Sequence, residues 1–288
     1  MKKQYEVLQW AFSFLKKHGC EENIANVLLQ HHLNKTQEQL MFTMREEVSE
    51  KLIIRFMQDI KRHVQTGIPI QHIVGYAYFY GRKFFVNGNV LIPRFDTETL
   101  VQQAITATHS QFNEKENITI VDVGTGSGII AITLALELPN ANVYATDISD
   151  YALEVAKKNA ILHGANIQFF SGNFLEPMIQ REINPDVIVS NPPYIKDSDR
   201  DMLAKTVKDY DPPTALYGGE DGMSAYVDII SQIQSLKKIE KRIICFEIGF
   251  DQAKDVTKLM KKNLPNSIIS VQQDLHGKDR VVTVKKFN

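Results

Sequence analysis

The spacing of apolar residues changes character along this chain. Over residues 1–66, Val7, Trp10, Phe14 and Leu15, and later Leu52, Ile53, Phe56, Met57 and Ile60, recur at the three-to-four-residue interval of amphipathic helices. The segment holds one glycine, Gly19, and no proline. It predicts a bundle of about four helices, with Gly19 stopping the first and Trp10 in the core. Gly67-Ile68-Pro69 breaks the pattern, and β-rich runs then flank Asn87-Gly88. That pair tolerates the positive φ of a type I′ turn, so a hairpin turning at Asn87-Gly88 is expected, with residues 76–94 as a linker between domains. Thr97 to Ala107 reads as a helix.

From Ile118 onward strand and helix patterns alternate. Strands are expected at 118–123, 142–146, 167–170, 186–189 and 242–248, with helices at 129–138, 152–163, 223–236 and 252–263. Ser149 and Gly164 are placed to cap the second of these helices. Two strands follow one another at the end, 267–272 and 280–286. Alternating units of this kind imply a doubly wound, mostly parallel α/β sheet of seven Rossmann-like strands, and the final pair implies one antiparallel strand. The expected division is a helical domain over 1–75, the hairpin over 76–94 and the α/β domain over 95–288.

Composition adjusts this picture little. At 288 residues, 43% hydrophobic and 23% charged, the chain suits one large or two smaller globular domains. A formal net charge of −1 argues against gripping nucleic acid by bulk electrostatics. Two cysteines without a CxxC fit a reducing compartment. The apolar stretch Tyr5–Leu15 lacks a small-residue cleavage site and runs into Lys16-Lys17, which reads as a soluble helix and not a signal peptide. No apolar run approaches the roughly 20 residues that span a bilayer. A cytoplasmic protein is expected. His31-His32, His63 and His72 carry no metal-ligand pattern, so no metal is expected.

The candidate chemistry lies at the carboxyl ends of the expected strands. Val187-Ile188-Val189 ends in Ser190-Asn191-Pro192-Pro193-Tyr194. Two prolines force the chain to leave the strand extended. Asn191 offers an amide that donates and accepts, and Tyr194 an aromatic face. This combination suits a planar group bearing an NH2, whether a carboxamide or a nucleobase amine; a proline turn with a capping Asn is the plain alternative. Gly124-Thr125-Gly126-Ser127-Gly128 joins the first strand to its helix, where alternate glycines let the backbone come close to a ligand. A dinucleotide site prefers G-x-G-x-x-G. The shorter spacing here disfavours a nicotinamide dehydrogenase and favours an adenosine-bearing ligand without pyrophosphate, such as S-adenosylmethionine. Asp147 stands where an acid binds ribose hydroxyls. Asn173-Phe174 follows the third strand, where the pair can contact adenine. In an open α/β sheet these strand ends share one crevice.

With these motifs the chain resembles the peptide chain release factor N5-glutamine methyltransferases, the PrmC or HemK family. The resemblance rests on Gly124–Gly128, on Asn191–Tyr194 and on three further blocks. These are Phe79-Tyr80-Gly81 with Val90-Leu91-Ile92-Pro93-Arg94, Ala215–Gly222, and Asp274–Arg280. The N-terminal region is similar in architecture only. The chain departs from the family pattern at Phe95-Asp96, at Asp211-Pro212-Pro213 and at Asn173. The resemblance implies methyl transfer from S-adenosylmethionine to the glutamine side-chain nitrogen in the Gly-Gly-Gln loop of bacterial class 1 release factors. The helical domain would then recognise the substrate and the α/β domain carry the methyltransferase.

Asn191, Pro192 and Tyr194 would be catalytic, and with Pro193 would hold the substrate. Gly124, Thr125, Gly126, Ser127, Gly128, Asp147, Asn173, Phe174 and Asn191 would hold the cofactor. Glu247 is a strand-end acid that could face the crevice or serve structure, and it is left out of the site. No stable nucleic-acid or membrane partner is expected. The rival readings are a nucleobase N-methyltransferase that flips a base onto Tyr194, a ribosomal-protein glutamine methyltransferase, and a non-catalytic adapter.

Overall fold

A computed structural model describes residues 2–113, 116–237 and 241–287. The chain forms two compact units, one of residues up to Tyr76 with Ala204–Tyr210, the other of Ala77–Leu203 with Asp211 onward.

The first unit holds helices Gln4–Lys17, Ile24–Leu33, Gln37–Phe42, Glu50–Thr66 and Ile70–Val74. Gly19 adopts φ +69° just past the first of them, as its sequence position predicts. Thr36 and Gln39 form a reciprocal capping box at the third. Leu8, Leu15, Leu28, Leu29, Phe56 and Ile60 are fully buried together, and Trp10 is half-buried against them, stacked 5.3 Å from Phe14. The histidines have local duties: His32 Nε2 lies 2.8 Å from Asp59 Oδ2, and His63 Nδ1 lies 2.7 Å from the Ile68 carbonyl. Among the described residues no group of three or more His, Cys, Asp or Glu is placed to hold a metal. Residues 204–210, which the sequence pattern assigned to the α/β domain, belong to this unit. The Tyr210 hydroxyl donates to the Thr66 carbonyl at 2.9 Å.

The second unit is built on seven strands: β1 Thr119–Val123, β2 Asn142–Asp147, β3 Ile167–Ser171, β4 Val187–Ser190, β5 Lys241–Glu247, β6 Ser267–Gln273 and β7 Asp279–Phe287. Their order across the sheet is 3-2-1-4-5-7-6. β7 alone is antiparallel, pairing with β5 and β6. β1, β4 and β5 are almost wholly buried, as continuous apolar runs require when both faces are covered. The strand order reverses between β1 and β4, and a crevice opens there at the carboxyl ends.

The hairpin differs from expectation. Its strands are Tyr76–Phe79 and Arg82–Phe85, and it turns at Tyr80-Gly81, with φ of +50° and +71°. Asn87-Gly88 is not the tip. Asn87 accepts from the Asn89 N–H and from the Val90 N–H in a local turn without positive φ. Tertiary burial decides between the two candidates. Turning at 80–81 seats Phe79 and Phe84 together in the main core, while Val86, Val90 and Ile92 enter a separate cluster against Ala152 and Val155. Glu98 fixes the strained Tyr80 by accepting its N–H at 2.7 Å. Buried Asn159 binds both the N–H and the C=O of Phe85 and also the Ser127 carbonyl, tying the hairpin to the glycine turn.

Candidate active site

The glycine turn follows directly from β1. Gly124, Gly126 and Gly128 take φ of +72°, +55° and +83°, a region that costs side-chain-bearing residues about 1–2 kcal/mol each. The N–H groups of Gly124 and Thr125 both donate to the Thr146 carbonyl. A Cβ on Gly128 would sit 3.0 Å from Ile132 and 3.1 Å from Ala156, so this glycine serves close helix packing. A Cβ on Gly124 or Gly126 would meet nothing within 4 Å. Those two face open space.

That space is a cavity of about 360 Å³, the size of a small-molecule or cofactor site. Its walls are Gly124–Ser127 from the turn, Asp147–Ser149 after β2, Asn173-Phe174 after β3 and Asn191–Pro193 after β4. Asn89–Leu91, Pro93-Arg94 and Thr97 close one side, and Pro212, Thr214, Ala215 and Tyr217 another. The convergence expected at the strand ends is therefore present, with two exceptions. Gly128 lies behind the wall for the packing reason just given. Tyr194 does not line the cavity either, although it was expected to offer its ring there. Its half-buried side chain packs against the buried cluster that holds Tyr226, Ile229, Phe246 and Ile248. Burial, and then the nearby Glu247 carboxylate, raise the Tyr194 hydroxyl well above its usual pKa, so it stays protonated.

Two acids mark the turn. Asp147 Oδ2 accepts from the Gly126 N–H at 2.8 Å and Oδ1 from the Ser149 N–H at 2.9 Å, while burial raises its pKa. Asp122, inside β1, is fully buried. Its Oδ2 accepts from Thr125 Oγ1 at 2.6 Å and the Ala131 N–H at 3.2 Å, whereas Oδ1 has no partner. Burial pushes Asp122 up to about 7. A carboxyl raised on folding stabilises the fold below its unfolded pKa and loses that contribution as pH rises through the folded one. Asp122 therefore favours the fold below about pH 4 and weakens it progressively toward pH 7. Asn at 122 can keep both accepted bonds and place its NH2 at Oδ1. The expected result is that Asp122→Asn gains melting temperature relative to wild type at pH 8 but not at pH 4.5. Parallel thermal unfolding at the two values checks it.

The Asn191–Tyr194 loop is held from beneath. The Ile195 N–H donates to the Leu216 carbonyl and the Gly218 N–H to the Ile195 carbonyl, both at 2.9 Å. Buried Gln252 donates from Nε2 to the Tyr194 and Gly222 carbonyls, each at 3.1 Å. A Cβ on Gly218 would lie 2.6 Å from the Pro193 carbonyl oxygen, and one on Gly222 only 2.4 Å from that of Tyr194. These glycines permit backbone contact with the loop. Arg94 and Glu98 do not pair with each other. Arg94 Nη2 donates to Asp211 Oδ2 at 2.7 Å, and Asp211 Oδ1 accepts from the Ile92 N–H.

Sequence reasoning missed two residues at the site. Asn191 Nδ2 donates to Thr97 Oγ1 at 3.3 Å, and Glu247, 2% exposed, has an Oε2 without a partner and a carboxyl that burial pushes up to about 7. Thr97 looked like a helix start, and Glu247 like a strand-end acid that could face the crevice or serve structure. Only the position of Glu247 at a strand's carboxyl end could have signalled either.

Comparison with known proteins agrees with this geometry. Residues 6–75 match the PrmC N-terminal domain and residues 99–209 the Methyltransferase small domain. The chain is 43% identical over 278 residues to the release factor glutamine methyltransferase of Bacillus cereus, covering 96% of this chain and 97% of that one. It belongs to the release factor glutamine methyltransferase family. A second member, from Bacillus subtilis, is 40% identical over 282 residues, with 98% and 97% of the two chains covered. In fold alone, the chain is similar to the N-terminal domain of human METTL16, solved in complex with SAH. The TM-score is 0.52 at 16% identity, over 92% of this chain and 94% of that one.

The family's cofactor fits what the residues offer. Two glycines leave open space beside a strand-end carboxylate, and an aromatic-amide pair lines the same cavity. Among the described residues no helix is long and apolar enough to cross a membrane.

Proposed function

We propose that this protein transfers a methyl group from S-adenosylmethionine to the side-chain amide nitrogen of the glutamine in the Gly-Gly-Gln loop of bacterial class 1 release factors, in the cytoplasm. The observation that carries this reading is the placement of Asn191–Pro193 on the same cavity wall system as Gly124, Gly126 and Asp147. Gly124–Ser127, Asp147, Asn173 and Phe174 would hold the cofactor, with Asp147 on the ribose hydroxyls and Asn173-Phe174 at the adenine. The bound cofactor supplies an electrophilic methyl on a positively charged sulfur.

The chain's own task is to make an amide nitrogen attack. That nitrogen is a poor nucleophile because its lone pair is delocalised into the carbonyl. Asn191 Oδ1 and the Pro192 carbonyl accept the two N–H bonds of the substrate amide, which orients the lone pair toward the methyl. The same two oxygens stabilise positive charge building on nitrogen in the transition state, where it matters for rate. Holding both reactants in line contributes on the order of several kcal/mol. One N–H proton leaves to water after transfer, so the product amide is neutral. The helical unit would take the body of the protein substrate.

The test is incubation with labelled S-adenosylmethionine and purified release factor, beside duplex DNA and ribosomal protein, followed by peptide mass analysis. Label is expected on the Gly-Gly-Gln glutamine. Label on nucleic acid or ribosomal protein would overturn the substrate, and cofactor binding without any label would overturn the activity.

A further inference from the structure

Three large apolar side chains stand in solvent beside the Asn191 motif. Phe95 is 81% exposed, Phe250 62%, and Leu275 wholly. They lie far apart in sequence, on the turn before helix Asp96–Gln111, on the turn after β5 and on the turn between β6 and β7. One guanidinium gathers these turns. Arg280 Nη2 pairs with Asp96 Oδ2 at 3.2 Å and with Asp274 Oδ2 at 3.1 Å, and Nη1 donates to the Ile248 carbonyl at 3.3 Å. Asp96 follows Phe95, Asp274 precedes Leu275, and Ile248 stands just before Gly249-Phe250. Arg280 and Asp274 are themselves buried, so the gathering point is fixed. Apolar residues exposed singly need no explanation, but three brought to one buried ion pair do.

The patch is continuous with the substrate end of the cavity. Pro93, Arg94 and Thr97 line that cavity, which puts Phe95 on its rim. Gln252 donates to the Tyr194 carbonyl and Asp251 pairs with Lys196 at 3.3 Å, so the turn that carries Phe250 flanks the chain leaving Asn191–Pro193. The glycine turn, Asp147 and Asn173-Phe174 stand at other strand ends, and Phe95, Phe250 and Leu275 lie outside the cavity wall. Cofactor binding therefore does not account for them.

We propose that Phe95, Phe250 and Leu275 form an apolar rim that docks aliphatic or aromatic side chains of the substrate protein next to its Gly-Gly-Gln loop. The inference rests on the reading of Asn191 given above and deepens it by naming what is gripped besides the glutamine. Two glycines precede that glutamine and carry no side chains, so the loop gives the cavity one side chain to hold. Discrimination among proteins must then come from the surface beside the loop. Covering three apolar side chains rewards only a partner that presents apolar groups there. Lys278 Nζ lies over the Phe250 ring, 5.3 Å from its centroid, which orients the ring before a partner arrives. The contact is the same before and during methyl transfer, so its loss raises KM and spares kcat.

The test uses steady-state methyl transfer to purified release factor. It compares a triple variant, Phe95→Ser with Phe250→Ser and Leu275→Ser, a double variant, Phe95→Leu with Phe250→Leu, and Asn191→Ala. Melting temperature and sedimentation mass are recorded for each and for wild type. The triple variant is expected to raise KM for release factor about thirtyfold or more, as loss of several buried apolar anchors does. Its kcat and its KM for S-adenosylmethionine stay within about twofold of wild type. The leucine variant keeps the apolar surface and is expected within about threefold of wild type throughout. Wild-type KM for release factor in the triple variant, beside an inactive Asn191→Ala, would overturn the docking role and leave the site reading intact. A wild-type dimer that the triple variant breaks, with KM for release factor unchanged, would also overturn it and give the face to a second copy of this chain. Losses in kcat and in both KM values that track melting temperature would overturn it as well, because a structural role predicts that pattern. An active Asn191→Ala would overturn the site reading and, with it, the docking role beside that site.

Discussion

Replacing Asn191 with alanine is expected to lower the methyl-transfer rate by at least about a hundredfold, with little change in cofactor affinity. The magnitude follows from what loss of one preorganised hydrogen-bonding group at a developing charge ordinarily costs, about 10²–10³ in kcat. Affinity is spared because the glycine turn and Asp147 stand on other strands and do not bond to Asn191. The substitution also strips Thr97 of its donor, which adds a small local cost but no clash. Single-turnover methyl transfer, with cofactor binding measured by calorimetry, separates the two effects. A variant that transfers methyl at the wild-type rate would remove the mechanism.

Gly222→Ala should be nearly as damaging, by a different route. Gly222 holds φ +74°, and an added Cβ would lie 2.4 Å from the Tyr194 carbonyl oxygen and 2.7 Å from Gln252 Nε2. The first neighbour is backbone, so it cannot swing aside as a side chain would. Either the loop after Asn191 moves or the Gly219–Gly222 turn opens. Left-handed strain of about 1–2 kcal/mol and overpacking of about 1–3 kcal/mol together give a loss of ~2–5 kcal/mol. At roughly 2–4 °C per kcal/mol for a unit of this size, melting falls by about 10 °C. Activity should fall further than stability alone explains, because the displaced backbone carries Pro192 and Tyr194. Thermal unfolding and a rate measured well below the melting point test both parts. Wild-type activity in a stable Gly222→Ala protein would show that the contact is not limiting.

The parts of this architecture that could be read from the chain are those governed by local rules. Continuous apolar runs gave β1, β4 and β5, because a strand covered on both faces has little freedom of composition. Strand-end residues were legible as a site, because parallel topology gathers them whatever the side chains do. The misplaced hairpin turn shows where local rules stop. Asn87-Gly88 has the better turn chemistry, yet Tyr80-Gly81 turns, since burial of Phe79 and Phe84 outweighs the strain at Tyr80. Tyr194 was expected to offer its ring to the ligand and does not line the cavity, because its side chain packs into the core around Tyr226 and Phe246. The link from Asn191 to Thr97 spans 94 positions of sequence, and no pattern of spacing reveals a contact of that kind.

The return of residues 204–210 to the first unit bears on how the protein is made. The core of that unit draws only on residues between Val7 and Tyr76, so a growing chain can collapse it early. The short helix Lys205–Lys208 and the hydroxyl of Tyr210 reach the ribosome's exit only after β1 to β4 have been synthesised. The Thr66 carbonyl therefore gains its Tyr210 partner only after four strands of the neighbouring unit have been synthesised. Domains that fold in order of synthesis finish one before the next begins. Here the first to start receives its last segment only when more than half of the second has been synthesised.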